Sequence, residues 1–512
     1  MKRRDFLGTT VAGSAGTVAA GSLRGAFKNR PNIIYVVVHD LGRYFSPYGV
    51  PIDTPNLQAF AEGGITLDNA CCGAPPCSPS RACAMSGKYS HSNGMTGLHG
   101  HEWSLTTECK TIVDYLNQAG YETAWAGFQH ERHDPADNHY QRNLNLIHQE
   151  EGKPDVFVEN AVDAAIEYLK TGRDRSRPFY LNIATQDVHG SLWIPGGYYT
   201  KKFDRPHTVY GIDDPSKVYI PAQCPDNEQT RQSFARFVPC IRHMDSQFGR
   251  LVDAVDRLGL RENTLFIFTT DHGILGSRAK GTVYERGTEI GTIMQMPGVI
   301  KAGDRMKELV NNIDFLPTFL EAAGVRCSPK PEVQGRSFWA RLCGKKYIPS
   351  EAIFTERNWH ENYDPVRTVR TKRYHYLLNL HPGAKRHLLP EEILNHTNPV
   401  VRRSWPNRYV WCGDFDRPDS SYFRFFEPRP REELYDLEND PEEFVNLADD
   451  PAYQKIKEEL AAKCKRWMAE TNDPVLAGPI PLPPGSHLKE ILNQRMARSE
   501  SMSQGELDLL RD

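Results

Sequence analysis

Seven residues near the start of the chain, Asn32-Ile33-Ile34-Tyr35-Val36-Val37-Val38, restrict its fold more than any other stretch. A half-exposed strand would alternate apolar and polar residues, and this short, β-branched run does not. It reads as an interior strand of a mainly parallel sheet, buried on both faces. The run stops at His39-Asp40, followed by the breaker pair Leu41-Gly42. The same grammar recurs. Strands are expected at 121–126 (after a helix at 107–119), at 179–185 and at 264–270. The polar groups that follow them are Gln129-His130, Gln186-Asp187-Val188-His189 and Asp271-His272-Gly273. In open α/β sheets ligands gather beyond the carboxyl ends of the strands. Four strand ends that each deliver polar residues therefore point to one shared site.

At 512 residues the chain exceeds the common domain size several-fold, and 39% hydrophobic residues supply a large core, which excludes wholesale disorder. An α/β body, a mainly parallel sheet flanked by helices, is expected over 30–345. A smaller C-terminal α+β domain follows over 346–470, richer in Arg, Tyr and Pro. Within it, 366–380 reads as two strands joined by a tight basic turn. Residues 451–469 read as a helix with Tyr453, Ile456, Leu460 and Trp467 on one face. Residues 471–512 are expected to be a tail that wraps the surface or frays. Lys and Arg number 62 against 65 Asp and Glu, a net charge of −3 that argues against a broad grip on nucleic acid.

The first residues read as an address. Lys2, Arg3 and Arg4 precede Asp5-Phe6-Leu7 and a weakly apolar run to Ala20, which resembles a twin-arginine export signal. Residues 1–27 are set apart from the fold on that basis, and a periplasmic or extracellular location is expected. No later stretch offers the roughly 18 consecutive apolar residues of a membrane span. Eleven cysteines, an odd number without a C-x-x-C pair, leave at least one without an intrachain partner.

The densest local signal is Cys77-Ser78-Pro79-Ser80-Arg81, where Pro79 suits the first turn of a helix. A helix N-terminus would favour an anion and lower a thiol's pKa. The residues alone leave Cys77 either a nucleophile or a buried structural thiol. His39 and Asp40 at one strand end, with Asp271 and His272 at another, have the composition to hold one divalent ion. Oxygen ligands suit calcium or magnesium, while imidazoles tilt the preference toward zinc or manganese. The basic segment containing Arg367, Arg370, Lys372, Arg373, Tyr374 and His375 is either a lining for a polyanionic sugar or a solvated hairpin turn.

Cys77-Ser78-Pro79-Ser80-Arg81, followed by Gly87 and Gly94, resembles the signature of the type I sulfatases of the alkaline phosphatase superfamily. Asp53-Thr54-Pro55-Asn56-Leu57, Asp271-His272-Gly273 and Lys280-Gly281-Thr282-Val283-Tyr284-Glu285 extend the resemblance across 31–470. Ser90 to His99 and Arg431 to Leu447 are similar to the heparan N-sulfatase type within that family. The resemblance implies an alkaline-phosphatase-like fold. It also implies that a formylglycine-generating maturation enzyme oxidises Cys77 to formylglycine, whose hydrated aldehyde attacks the sulfur of a sulfate group. Arg81 then holds the nucleophile and Lys280 meets the sulfate. His130 hydrogen-bonds the hydrate and acts as base, and the ion is calcium by family habit. The implied substrate is a sulfated glycan, with the O- or N-sulfate of a glucosamine-type sugar as first choice.

Three departures from the family pattern stand out. His39 occupies the place of the first metal-binding aspartate. Phe128, in Gly127-Phe128-Gln129-His130, replaces a sulfate-binding lysine. Gln186 replaces a histidine that protonates the leaving group, with His189 matching the next histidine along. Glutamine is no acid at neutral pH. Either His189 or His130 takes the role, or the leaving group departs without help. Gln186, Lys280 and Arg373 are expected on the substrate. The competing readings are a phosphonate or phosphate monoester hydrolase of the same superfamily, and a catalytically decayed protein that binds sulfated glycans.

Overall fold

All seven residues of β1 (Asn32–Val38) are buried, because β1 lies in the middle of an eight-stranded sheet. The structure, a computed structural model, describes residues 30–145, 158–186, 188–189, 204–274, 276, 278–360, 363–381 and 428–486. The signal-like segment 1–27, Asp187 and the tail beyond 486 lie outside the described residues. The other strands of the sheet are β2 (Ile65–Cys71), β3 (Glu122–Gly127), β4 (Arg142–Asn143), β5 (Phe179–Thr185), β6 (Thr264–Thr270), β7 (Thr292–Gln295) and β8 (Asp304–Asn311). Their order is β4-β3-β5-β1-β6-β7-β2-β8. Every pairing is parallel except those of β7, which runs antiparallel to β6 and β2.

The alternation of β1 divides the core. Helices α1 (Pro55–Glu62), α2 (Cys77–Ser86), α3 (Ile112–Gln118), α4 (Val158–Glu167), α5 (Glu228–Arg257) and α6 (Phe315–Ala322) flank the sheet. Ile34, Val36 and Val38 pack with Val162 of α4 and Phe237, Ile241 and Phe248 of α5. Ile33, Tyr35 and Val37 pack on the opposite face with Leu116 of α3 and Phe315 and Phe319 of α6. Burying apolar surface on both faces is what a near-continuous hydrophobic strand requires.

A second sheet, β12-β11-β10-β9, is antiparallel throughout and comprises β9 (Ile353–Trp359), β10 (Tyr363–Arg370), β11 (Tyr374–Asn379) and β12 (Glu432–Asp436). Helix α7 (Gln454–Glu470) buries Leu460, Cys464, Trp467 and Met468 against Val369, Tyr376, Leu378 and Leu434. That cluster extends to Cys83 of α2 and to Tyr89, so the smaller sheet unit backs the helix that carries Cys77.

The expected bounds of β1, β5 and β6 agree with the structure, and β3 is displaced by one residue. The helix expected at 107–119 begins only at Ile112. The Asp114 carboxylate accepts the Thr111 backbone N–H at 2.7 Å, a capping contact that fixes the start five residues later than hydrophobic pattern suggests.

Candidate active site

β1, β3, β5 and β6 are neighbours in the sheet, and the polar residues that follow them meet beyond their carboxyl ends. Two local features bring them close. Gly127, at the end of β3, has φ +90°, and a Cβ there would lie 1.7 Å from the Ala184 carbonyl of β5. Only glycine permits that approach, and it sets Phe128 and His130 over the strand ends. Asp40 also adopts a left-handed backbone, with φ 55°, an unusual state for a residue with a side chain. Its N–H bonds Asp271 Oδ1 at 3.1 Å, tying the end of β1 to the end of β6.

His39, Asp40, Asp271 and His272 are all buried, and one donor atom from each lies within 4.8 Å of the others. His39 Nδ1 is 2.6 Å from Asp40 Oδ1 and 3.2 Å from Asp271 Oδ2. His272 Nδ1 lies 2.9 Å from the carbonyl of Gly273, which only accepts, so Nδ1 carries the proton and Nε2 the lone pair. Burial pushes the His272 pKa down, partly offset by Asp271 and Asp40, and the ring is neutral. Its Nε2 is buried without a hydrogen-bond partner among the described residues, yet sits 3.3 and 3.4 Å from carboxylate oxygens of Asp40 and Asp271. A lone pair facing two carboxylates is repulsive unless a cation lies between them. A histidine locked by a backbone carbonyl on its other nitrogen is the usual form of a metal ligand. The set fits a divalent ion, with two imidazoles and two carboxylates as donors.

Three cationic or aromatic groups frame this cluster. Lys280 Nζ donates to both oxygens of Asp40, at 2.7 and 2.8 Å. Burial would raise the Asp40 pKa, but Lys280, His189 and His272 outweigh it and hold the carboxyl well below the usual range. Arg81 reaches Asp271 Oδ2 from Nε at 3.1 Å, and its guanidinium lies 4.3 Å from the centre of the Phe128 ring. Phe128 in turn stacks on His39, with centroids 5.4 Å apart. An aromatic wall that pins Arg81 and His39 thus occupies the place expected for a lysine.

Cys77 is the first residue of α2 and is 7% exposed. Donor atoms of His39, Cys77 and His130 lie within 4.8 Å of one another. Contrary to the expectation from its helix N-terminus, the thiol is raised rather than lowered, because burial outweighs the pull of Lys280. As a cysteine it is a neutral thiol, a poor nucleophile. Ser80 Oγ donates to the carbonyl of Asp271, and Asn312 holds the Ser80 carbonyl at 2.9 Å, so the helix start is fastened to the end of β6.

His130 is half-buried. Burial, then Arg81, His99 and Lys280, hold its pKa well below the ordinary value, and its Nδ1 has no hydrogen-bond partner among the described residues. His189 faces the same centre, with its ring 4.3 Å from His39 and Nε2 4.0 Å from Asp40. Gln186 directly follows β5 and is half-buried, and its carbonyl accepts the His189 N–H at 2.9 Å.

The basic segment is placed differently. Arg367 is fully buried and pairs with Asp473 at 2.5 Å. Arg370 grips Glu285 at 2.8 Å, and His375 meets Glu443 at 2.6 Å. Arg373 lies on the β10–β11 turn, where its partners are Asp436, Glu438 and the Tyr374 ring, all in the smaller unit. The segment is therefore largely internal ion pairing, neither a sugar-facing stripe nor a merely solvated turn. Sequence reasoning also missed His99, whose ring lies parallel to that of His130 at 5.8 Å. His99-Gly100-His101 and His130-Glu131-Arg132-His133 are visible in the sequence, but nothing local shows that the two loops meet.

The profile described as "Sulfatase" matches residues 31–325, and the one described as "N-sulphoglucosamine sulphohydrolase, C-terminal" matches 271–385. An ulvan-active sulfatase of Formosa agariphila is 29% identical over 88% of this chain and 82% of its own length. The human N-sulphoglucosamine sulphohydrolase is 27% identical over 89% of this chain and 93% of its own. A protein solved in complex with its substrate D-glucosamine-2-N,6-O-disulfate superposes with a TM-score of 0.64 at 20% identity. That match covers 87% of this chain and 98% of the other, and it establishes a shared fold.

Proposed function

From the premise that this chain belongs to the sulfatase family, we propose that it removes sulfate from a glucosamine-type sugar, using a formylglycine made from Cys77. The observation that carries this reading is the buried His39-Asp40-Asp271-His272 set, with its orphaned His272 Nε2, within reach of residue 77 and Arg81. The match to the N-sulphoglucosamine sulphohydrolase C-terminal profile supports an N-sulfated or O-sulfated glucosamine as substrate.

His39, Asp40, Asp271 and His272 would hold one divalent ion, calcium by family resemblance, although two imidazoles also suit zinc or manganese. When bound, that ion supplies positive charge to the sulfate oxygens, and formylglycine supplies a hydroxyl nucleophile in place of an inert thiol. The chain's own groups then divide the work. Arg81, fixed by Asp271 and Phe128, orients residue 77. Lys280 places a second positive charge beside the sulfate, where charge develops on the oxygens. His130, neutral and open at Nδ1, is suited to accept a proton from a hydroxyl at residue 77. His189 faces the side from which Gln186 has withdrawn a titratable group, and it is the proton donor to the departing nitrogen or oxygen. Gln186 contributes hydrogen bonds to the sugar. The twin-arginine-like segment would export the folded enzyme, after a maturation enzyme has acted on Cys77.

Sulfate release tests the reading, with protein made in a host that carries the maturation machinery. Turnover of N-sulfoglucosamine or glucosamine 6-sulfate is expected, with 4-nitrophenyl sulfate hydrolysed faster than 4-nitrophenyl phosphate. Preference for the phosphate would assign the chain to phosphoryl chemistry instead, and binding of the sugars without turnover would make it a glycan-binding protein.

A further inference from the structure

The proposed function leaves His99 without a task. Its imidazole meets the carbonyl of Arg132 through Nε2 at 3.0 Å, and a carbonyl only accepts, so Nε2 bears the proton. In the neutral ring Nδ1 is then a hydrogen-bond acceptor, and no described residue donates to it. The ring is half-buried and parallel to that of His130, 9° apart in plane. The His99 backbone N–H bonds Ser78 Oγ at 3.0 Å, so the ring is anchored one residue from the reacting position.

The surroundings define what could approach it. The two loops that meet here, 99–102 and 129–133, carry one arginine, Arg132. Its guanidinium is turned inward onto the carbonyls of Thr106 and Cys109, at 3.2 and 2.7 Å. His133 lies 3.0 Å from the carbonyl of Glu102, and the other acidic groups of the two loops are Glu102 and the buried Glu131, whose Oε2 accepts the His130 backbone N–H. Beside His99 this wall offers acceptors and no outward-facing guanidinium or ammonium among the described residues. Among the described residues of these two loops, a second sulfate or a carboxylate would find nothing to neutralise it. A neutral hydrogen-bond donor would.

We propose that His99 is a specificity-determining residue, whose Nδ1 accepts a hydrogen bond from a free hydroxyl of the sugar next to the sulfated position. This rests on the sulfated-sugar reading above. Two substitutions separate the roles of its nitrogens. His99→Gln retains a donor toward the Arg132 carbonyl and lacks an acceptor at the Nδ1 position. His99→Asn places a carboxamide near the Nδ1 position. The ratio of kcat/KM for glucosamine sulfates (N-sulfoglucosamine and glucosamine 6-sulfate) to that for 4-nitrophenyl sulfate, which has no hydroxyl, is the readout. His99→Gln should lower that ratio roughly tenfold, the loss expected for one hydrogen bond made by a site built for it. His99→Asn should recover most of it. A parallel fall on both substrates would overturn the proposal, because His99 would then only support His130 and Ser78. An unchanged ratio, or wild-type enzyme active on the aryl sulfate but on neither sugar, would overturn it as well. Wild-type enzyme that releases sulfate from none of the three would instead remove the reading on which the proposal rests.

Discussion

At the scale of single residues, Lys280 and Arg373 differ in where their charges are held. Lys280 donates to both oxygens of Asp40 inside the cluster, whereas Arg373 is nearly half exposed and bound to Asp436. Lys280→Ala should lower kcat/KM on a small sulfate ester about a hundredfold, on the order of 3 kcal/mol of transition-state stabilisation. Arg373→Ala should cost far less, as exposed ion pairs do, and equal losses would contradict the assignment of Lys280. His39 gives a second handle. Burial, then Lys280 and Arg81, hold its pKa well below the ordinary value, so it stays a neutral ring facing Asp40 and Asp271. Replacing it with a carboxylate exchanges one nitrogen donor for oxygen. After dialysis against equimolar calcium and zinc, His39→Asp should retain a higher calcium-to-zinc ratio than wild type. The same ratio in both would place His39 outside the metal's ligands. The sequence carried all four of these cluster residues, because each sits at the end of a strand with an unmistakable apolar run. It did not carry the fate of Arg367, Arg370 and Arg373. Their carboxylate partners lie 106, 85 and 63 residues away, beyond any local pattern.

At the scale of elements, the active-site loop is held by the second sheet. Arg370 of β10 crosses to Glu285, five residues beyond Lys280, with Nε and Nη2 at 3.0 and 2.8 Å from its carboxylate. Burial would raise the Glu285 pKa, but Arg370 and Arg43 outweigh it and bring it from 4.5 to about 2. A folded-state value below the unfolded one means that the pair stabilises the protein above about pH 4.5, and that this contribution fades as pH falls toward 2. Arg370→Ala leaves Glu285 short of its main partner and should cost about 3–5 kcal/mol near neutral pH. Denaturant unfolding at pH 7.5 and pH 3 should show a smaller gap between variant and wild type at the lower pH. An undiminished gap would mean that the pair does not set the Glu285 titration. Element positions were legible where burial dictates sequence: β1, β5 and β6 are continuous apolar runs, and the β10–β11 hairpin shows its tight turn. The start of α3 was not, because it depends on Asp114 bonding the Thr111 N–H rather than on hydrophobic period.

At the scale of the whole molecule, one large sheet gathers four strand ends and a smaller sheet unit buttresses the helix that begins at Cys77. The mainly parallel body and the smaller C-terminal sheet unit were both readable from the chain. The meeting of the His99 and His130 loops was not, since it is produced by strand order and leaves no trace in spacing. Everything proposed for this fold converges on the chemical state of residue 77. Burial keeps its thiol protonated, and Arg81, His130 and the His39-Asp40-Asp271-His272 set have no sulfate chemistry to support around an inert thiol. Mass analysis of the peptide that contains residue 77, from enzyme shown in parallel to release sulfate, tests this directly. A mass about 18 Da below that of the cysteine form is expected, as oxidation of the CH2–SH side chain to a free aldehyde requires. Fully active enzyme in which residue 77 remains an unmodified cysteine would contradict the account.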